Sequence, residues 1–342
     1  MALPISQTGV KTVGIVVPVY NEEEALPAFH QQLVTAIQPL PYAFRVYYID
    51  DGSTDHTGAL LQQLADEDPR IRVIALSRNF GHQAALTAGL DEAEGDYVIS
   101  MDGDGQHPPA LISEMLTLAE TGYDLVLTQR EEDLTSSRFK QQTSSLFYRL
   151  INRIGDTKIL PGAADFRLMS RPVVDGLKQM REYHRFLRGM VSWMGFRTVI
   201  LPYSAPERLG GKSKYTLKKM LQLATNAVFS FSLVPLYIGL SMGVLMLVLA
   251  VAEMIYVLRF WIIGDLQHLA PGWSSLMFVL LVVGGLLMIL LGFIGVYVGY
   301  IFQEVKHRPI YLVRQRTGAP APTPEHDAAQ EGQNPSKPPQ AL

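Results

Sequence analysis

The sequence predicts an α/β protein in which a mostly parallel sheet is flanked by helices and followed by a pair of long apolar helices. Two observations lead to this class. Short β-branched apolar runs alternate with amphipathic helical stretches over residues 13–128, as in proteins whose parallel strands are joined by helices. Charged residues are dense up to Lys219 and rare from there to Lys306, which divides the chain into a polar and an apolar part.

The elements of the polar part follow from hydrophobic periodicity. β-Branched runs bounded by polar turns are typical of strands that are buried on both faces. The predicted strands cover residues 13–18, 44–49, 71–76, 97–101 and 125–128. The predicted helices between them cover residues 21–37, 55–67, 81–93 and 108–120. In such a sheet, ligands bind outside the carboxyl ends of the strands.

Polar side chains collect where four of these strands end, in residues 20–22, 50–53, 77–79 and 102–106. Asp102 and Asp104 are separated by one glycine, so both carboxylates can turn toward one cation. Mg²⁺ and Mn²⁺ prefer oxygen ligands and are commonly shared between carboxylates and substrate phosphates. Gln106 would add a carbonyl oxygen, whereas His107 is predicted to be a turn residue or a neighbour of the helix start rather than a ligand. The pattern predicts a divalent-metal site.

Two uncharged runs in the apolar part, residues 233–252 and 274–303, are each long enough to cross a bilayer. About twenty helical residues span its hydrocarbon core, and a soluble helix of this length would need a polar stripe. We therefore predict membrane spans over residues 233–262 and 274–303, with a short external loop over residues 263–273. Lysine and arginine lie on the outer flanks of the pair, which places both flanks in the cytoplasm.

The remaining segments complete the predicted organisation. Residues 1–210 are predicted to form a cytoplasmic domain that carries this metal site. Residues 211–232 form a basic loop and amphipathic helices that lie in the membrane interface, or alternatively pack on the soluble domain. Residues 304–342 form a cytoplasmic tail that is rich in proline and predicted to be disordered after about residue 317. The start of the chain lacks a signal-peptide pattern, so the N-terminal half is expected to stay in the cytoplasm. With two spans and basic residues on both outer flanks, the C-terminus is expected there as well.

Composition excludes some classes of protein. The 342 residues carry a formal net charge of −3, so the charge balance gives no reason to expect nucleic-acid binding. Cysteine is absent, which excludes a disulfide framework and a thiolate metal site.

Seven short motifs resemble those of a known family. Four follow predicted strands, in residues 17–22 (VPVYNE), 50–55 (DDGSTD), 78–82 (RNFGH) and 101–109 (MDGDGQHPP). Three come later, in residues 166–170 (FRLMS), 185–189 (RFLRG) and 208–215 (RLGGKSKY). Together they resemble the inverting glycosyltransferases of family 2, which have the GT-A fold. Their order is similar to that of the polyprenyl-phosphate glycosyltransferases within the family, and the resemblance covers about residues 12–310.

The resemblance implies roles for individual residues. The nucleotide-sugar would contact Pro18, Tyr20, Glu22, Asp50, Asp51 and Gly103. The metal on the diphosphate would be surrounded by Asp102, Asp104 and Gln106. The catalytic set would be Asp102, Asp104 and a basic pair on a loop that closes over the phosphates, Arg208 and Lys214. The acceptor phosphate would lie near Arg130, Lys140 and Ser144, and the family usually has an arginine where Lys140 stands.

By the same resemblance, the chain would transfer one sugar from a nucleotide-sugar to a polyprenyl phosphate at the cytoplasmic membrane face. A UDP-sugar is favoured over a GDP-sugar. Undecaprenyl phosphate is the expected acceptor in a bacterium, and a homo-oligomer is expected. The acceptor phosphate is already an anion, so the protein must supply positioning and charge neutralisation rather than a strong base.

Three alternatives fit the sequence less well. A processive polysaccharide synthase usually has more membrane spans and a Gln-x-x-Arg-Trp motif, which is not found around any tryptophan of this sequence. A catalytically inactive membrane subunit would have lost the metal carboxylates or the basic loop, and both are present. A soluble nucleotidyltransferase would not carry two apolar spans.

Overall fold

The computed structural model describes residues 9–130, 163–183, 185–204, 206, 234–263 and 272–318. Its first part is the predicted alternation of strands and helices. The strands are β1 (Thr12–Val19), β2 (Ala43–Asp50), β3 (Ile71–Leu76), β4 (Tyr97–Ser100) and β5 (Leu125–Arg130). The helices are α1 (Leu26–Ile37), α2 (Thr57–Glu67), α3 (His82–Glu92) and α4 (Ile112–Glu120). Each predicted element is present, although α1 begins at Leu26 rather than at Asn21.

The second part begins with elements that the sequence did not predict, and the long apolar helices follow. The new elements are β6 (Ala163–Ser170), α5 (Arg171–Gln179), α6 (Leu187–Trp193) and β7 (Thr198–Tyr203). The long helices are α7 (Val234–Ile263) and α8 (Trp273–Val305), and the last element is β8 (Val313–Thr317).

The strands form one sheet in the order β7-β5-β6-β4-β1-β2-β3-β8. β1 is parallel to β2 and β4, β2 is parallel to β3, and β5 is parallel to β7. β6 lies antiparallel between β4 and β5, and β8 lies antiparallel on the outer edge of β3. The predicted mostly parallel sheet flanked by helices is therefore confirmed, with two antiparallel strands added. The carboxyl ends of β1 to β5 all lie at one edge of the sheet, which we call the carboxyl edge.

Apolar side chains cover both faces of the sheet. On one face, Val17 of β1 and Phe29 of α1 belong to a fully buried core. On the other face, α3 approaches so closely that a Cβ added at Gly89 would lie 2.2 Å from Val16 Cγ1. This close packing holds α3 firmly on the sheet. Its first residue, His82, therefore has a defined position at the carboxyl edge.

Helices α7 and α8 cover the two predicted spans. The stretch Val282–Val305 of α8 is 24 residues long and apolar enough to cross a membrane, and it is the one such stretch in the part of the chain that the structure describes. The two helices contact each other where Gly239 of α7 lies against Leu290 of α8. The predictions for residues 211–232, for most of the external loop and for the tail beyond residue 318 lie outside the described residues.

After α8 the chain returns to the sheet. In the antiparallel pairing of β8 with β3, Val313 lies opposite Leu76 and Thr317 lies opposite Val73. Just before this strand, the Leu312 carbonyl accepts a hydrogen bond of 2.8 Å from the N–H of Ser77. β8 therefore covers an edge of β3 that would otherwise be open.

Side-chain contacts also attach the end of α8 to the domain formed by the sheet and its flanking helices. Glu304 Oε1 accepts a hydrogen bond of 2.8 Å from the N–H of Tyr183. On α3, Asp91 Oδ2 accepts hydrogen bonds from the Tyr311 hydroxyl at 2.8 Å and from Arg181 Nη1 at 2.7 Å. The last turn of α8 and the segment after it are thus bound to the domain that carries the carboxyl edge.

Candidate active site

The loop after β1 is hydrogen-bonded to the loop after β2. Asn21, which has a φ of 52°, donates its N–H to Ser53 Oγ (3.0 Å) and accepts the N–H of Thr54 at Oδ1 (2.8 Å). The N–H of Glu22 donates to Thr57 Oγ1 (2.9 Å). These bonds use residues that periodicity assigned to the start of α1, which explains why that helix begins later.

The two loops bring together most of the residues predicted to bind the nucleotide. Tyr20 and Glu22 are half-buried after β1, and Asp50 and Asp51 are buried at the end of β2. Pro18 is buried within β1, where it pairs in register with Ile49. Their contacts with a nucleotide stay a prediction.

Asp51 joins the β2 loop to the start of α3. Its Oδ1 accepts the N–H of Phe80 (2.7 Å) and its Oδ2 accepts the N–H of Gly81 (2.9 Å). Burial raises the pKa of Asp51, and these two N–H donors partly offset that effect. The carboxylate therefore holds the loop that leads into His82.

Gly52 lies where this loop leaves no room for a side chain. Its φ is +70°, and a Cβ there would come 2.5 Å from the carbonyl carbon of Arg78. Gly195 has nearly the same φ, +69°, but nothing lies within 4 Å of its Cβ position. We expect Gly195→Ala to cost about 1–2 kcal/mol of unfolding free energy from backbone strain. Gly52→Ala should cost about 1–3 kcal/mol more because of the clash. Thermal unfolding of the two purified variants measures this difference, and equal losses would contradict the close approach.

The loop after β4 is folded around a buried histidine. The His107 ring stacks on Phe166 with 5.3 Å between centroids. Its Nδ1 accepts the backbone N–H of Asp102 at 2.8 Å, so this nitrogen carries no proton. Burial lowers the pKa of His107, although the carboxylates of Asp102 and Asp104 oppose that effect. His107 is thus a neutral ring that closes the loop.

The rest of this loop is compact. Asp104 Oδ1 accepts the N–H of Gln106 at 3.0 Å, and Gly105 has a φ of +80° that favours glycine. Gly103 lies against the end of β1, because a Cβ there would be 3.1 Å from Val19 Cγ1. The loop that carries all three predicted metal ligands therefore packs next to the β1 loop.

Behind Asp102 lies a group of four charged residues that we call the charge cluster, made of His82, Asp165, Arg167 and Arg188. Asp165 and Arg167 are 4% and 2% exposed and form an ion pair. Asp165 also accepts hydrogen bonds from Arg188 through Nε at 3.3 Å and Nη2 at 2.9 Å. Burial disfavours the Asp165 carboxylate, but the two arginines hold the pKa of this carboxyl well below its usual range.

His82 connects the charge cluster to the β4 loop. Its Nε2 lies 3.4 Å from Asp165 Oδ2 and 3.5 Å from Asp102 Oδ1. Burial disfavours the imidazolium, but the two carboxylates outweigh that effect and raise the pKa of His82 to about 9. His82 therefore carries a positive charge between two negative ones.

The side chains after β4 fit an oxygen-ligated divalent cation. Asp102 Oδ1 is buried and has no hydrogen-bond partner in the described structure, and such an oxygen is costly unless a donor or cation approaches it. Within the described ranges, no group of three or more His, Cys, Asp or Glu side chains could hold a metal without further ligands. Asp102, Asp104 and Gln106, completed by substrate phosphates, correspond to the usual way in which Mg²⁺ is bound.

The residues predicted to bind the acceptor phosphate are only partly described. Arg130 is the last residue of β5, is exposed at the carboxyl edge, and pairs in register with Tyr203 of β7. The other basic and hydroxyl residues predicted for the site lie outside the described residues, namely Lys140, Ser144, Arg208 and Lys214.

Sequence reasoning assigned no role to the charge cluster. Its members come from three distant parts of the chain, and three of them lie within motifs that carried the family resemblance. The available signal was the pair Asp165 and Arg167 inside an otherwise apolar run, since buried charges are normally paired. Their connection to Asp102 through His82 depends on the order of the strands.

Known proteins resemble this chain over both its polar N-terminal part and its apolar C-terminal part. Residues 14–177 match the model of the family described as glycosyl transferase family 2. The uncharacterized glycosyltransferase YkcC of Bacillus subtilis is 40% identical, covering 89% of this chain and 94% of the relative. The bactoprenol glucosyl transferase of Shigella phage SfV is 38% identical, covering 88% and 98%. The prophage bactoprenol glucosyl transferase homolog of Escherichia coli K12 is 37% identical, covering 89% and 98%.

These similarities include the site described above. The matched region of the family model runs from β1 into α5, so it contains the β4 loop and part of the charge cluster. The relatives continue the similarity over nearly their full lengths and through most of this chain. The chain is therefore a glycosyltransferase and belongs to glycosyl transferase family 2.

Proposed function

We propose that the chain transfers a single sugar from a nucleotide-sugar to a polyprenyl phosphate at the cytoplasmic face of the membrane, with inversion at the anomeric carbon. One observation carries the proposal: the domain with the Asp102–Asp104 loop is hydrogen-bonded to the end of an apolar helix through Glu304. A site of this kind, next to a membrane, suits an acceptor that has an apolar chain and a phosphate head. The names of the relatives, bactoprenol glucosyl transferases, agree with such an acceptor.

On the donor side, the loops after β1 and β2 would receive the base and ribose. Asp102, Asp104 and Gln106 would hold Mg²⁺ or Mn²⁺, which when bound neutralises charge on the departing nucleoside diphosphate. Arg208 and Lys214, in a segment outside the described residues, would add positive charge over the same group. A UDP-sugar remains our first choice of donor, ahead of a GDP-sugar.

On the acceptor side, the protein must bring the negatively charged lipid phosphate next to the negatively charged diphosphate of the donor. Arg130 at the end of β5, together with Lys140 and Ser144, would bind the lipid phosphate and offset its repulsion from the diphosphate. A phosphate oxygen is already negative near neutral pH and can attack the anomeric carbon without prior loss of a proton. The protein therefore contributes orientation and positive charge rather than a strong base.

We propose that α7 and α8 both cross the membrane as a hairpin, with the catalytic domain and both chain termini in the cytoplasm. The apolar stretch of α8, its contact with α7 through Gly239, and the basic residues Lys306 and Arg308 directly after α8 support this orientation. Residues 211–232 would lie along the cytoplasmic interface. A homo-oligomer in the membrane is part of the proposal.

The test is transfer of labelled sugar into an organic-extractable lipid. Purified full-length protein in detergent would receive undecaprenyl phosphate, Mg²⁺ or Mn²⁺, and each of a panel of UDP- and GDP-sugars. We expect one donor to label the lipid, and we expect a chelator to abolish the labelling. Growth of a water-soluble polymer would instead support a processive synthase. Nucleotide binding without transfer from any donor would support an inactive subunit.

A further inference from the structure

We propose that His82 is a positioning residue that holds the Asp102 carboxylate in place from the protein side, and that the rest of the charge cluster fixes His82. The inference rests on the proposed function only in taking Asp102 as a metal ligand. It gives a role to a residue outside the predicted site, at the start of a different element, α3.

The first argument is the unsatisfied oxygen of Asp102. Among the described residues, two histidine ring nitrogens lie near this carboxylate, His82 Nε2 at 3.5 Å from Oδ1 and His107 Nδ1 at 3.8 Å from Oδ2. The near nitrogen of His107 accepts the backbone N–H of Asp102, so it has no proton to donate. Oδ1 is the buried oxygen without a hydrogen-bond partner. His82 Nε2 is therefore the one described ring nitrogen near this carboxylate that can carry a proton toward it, and at 3.5 Å from Oδ1 the contact is an ion pair rather than a hydrogen bond.

The second argument is that His82 is held from two sides. Its backbone starts α3, whose preceding loop is held by both carboxylate oxygens of Asp51. Its Nε2 also lies 3.4 Å from Asp165 Oδ2, which keeps the ring from turning away from the β4 loop. A histidine that was only a surface charge would not need either constraint.

The third argument is that Asp165 is itself immobilised. It is 4% exposed, pairs with the buried Arg167, and accepts hydrogen bonds from both Nε and Nη2 of Arg188. An ordered series of contacts therefore runs from two arginines through Asp165 and His82 to Asp102. Partners that orient a metal-binding side chain in this way are common in metalloproteins, and their loss typically costs 10–100-fold in metal affinity or activity.

The proposal predicts that the two carboxylates of the β4 loop are held in place by different contacts. Asp104 has its own local hydrogen bond, from the N–H of Gln106 at 3.0 Å. Asp102 depends on a side chain from another element. Loss of His82 should therefore disturb one ligand and leave the loop and Asp104 in place, which predicts weaker metal binding rather than its complete loss.

The experiment measures Mn²⁺ binding by electron paramagnetic resonance, with the full-length protein in detergent and UDP or GDP at saturation. We expect His82→Ala to raise the dissociation constant for Mn²⁺ about 10–100-fold. His82→Gln keeps an N–H donor at this position and should stay within a few-fold of the wild type. The control is His307→Gln, because His307 is exposed after the end of α8. Nucleotide binding without metal and the melting temperature are measured for each variant.

Equal Mn²⁺ affinity in His82→Ala and the wild type would overturn the inference. It would also be overturned if folded His82→Gln were as defective as His82→Ala, or if the wild type bound no Mn²⁺ beside the nucleotide. Failure of the proposed function would look different from failure of this inference. In that case no lipid would be labelled, but His82→Ala and His82→Gln would still differ in their affinity for Mn²⁺.

Discussion

Asp104→Ala is expected to lower the rate of sugar transfer to lipid at least about 10²–10³-fold, the usual loss when one group that stabilises charge in a transition state is removed. The carboxylate is half-buried in the loop after β4, and its Oδ1 accepts the N–H of Gln106. Its removal would take away one proposed metal ligand and with it neutralisation of the leaving diphosphate. Initial rates of lipid labelling, at saturating donor, measure the effect.

A matched control is Glu114→Gln, which removes a carboxylate from the exposed side of α4. This variant should transfer sugar at the wild-type rate, because its side chain lies outside the proposed site. If Asp104→Ala retained transfer within a few-fold of the control, the assignment of this carboxylate to the metal would be wrong.

The second large effect is expected on stability. Asp165→Asn should lower the free energy of unfolding by about 3–5 kcal/mol, because it leaves the Arg167 guanidinium buried without its charged partner. Arg167 is 2% exposed and its Nε already lacks a hydrogen-bond partner, so water cannot readily replace the lost carboxylate. The melting temperature of the purified variant in detergent reports the loss.

The control for this prediction removes both charges together. Replacing a buried ion pair by apolar side chains of similar volume is often neutral or stabilising. The double variant Asp165→Leu with Arg167→Met should therefore melt well above Asp165→Asn, since Arg188 is 31% exposed and can remain solvated. A double variant that was less stable than Asp165→Asn would show that the pair itself, and not the unpaired arginine, decides stability.

The part of the fold up to Arg130 was predictable because its signals are local. Each strand there is a short β-branched run between polar turns, and each helix has its own apolar periodicity. β6 was not predicted, since Asp165 and Arg167 interrupt its apolar pattern and only pairing with β4 and β5 makes it a strand. β8 was missed for the same reason, because its sequence, VRQRT, gains its conformation from the edge of β3.

The candidate site also has a part that local sequence patterns predict and a part that they do not. The positions of Asp102 and Asp104 follow from the end of one strand, so sequence order was enough to place them at the carboxyl edge. The contact of His82 with Asp102 and Asp165 joins α3, the β4 loop and β6. Such a contact depends on strand order and on the insertion of an antiparallel strand, and no local pattern contains that information.

The return of β8 to β3 has a consequence for how the chain is made on the ribosome. β3 is complete at Leu76, but the strand that covers its edge spans Val313–Thr317. At about 5–20 residues per second, the edge stays open for roughly 10–50 seconds of synthesis. An open strand edge can pair with another chain. β8 follows α7 and α8 in the chain, so it can pair with β3 only after both helices have been synthesised and, as proposed, inserted into the membrane. Completion of the sheet therefore depends on membrane insertion.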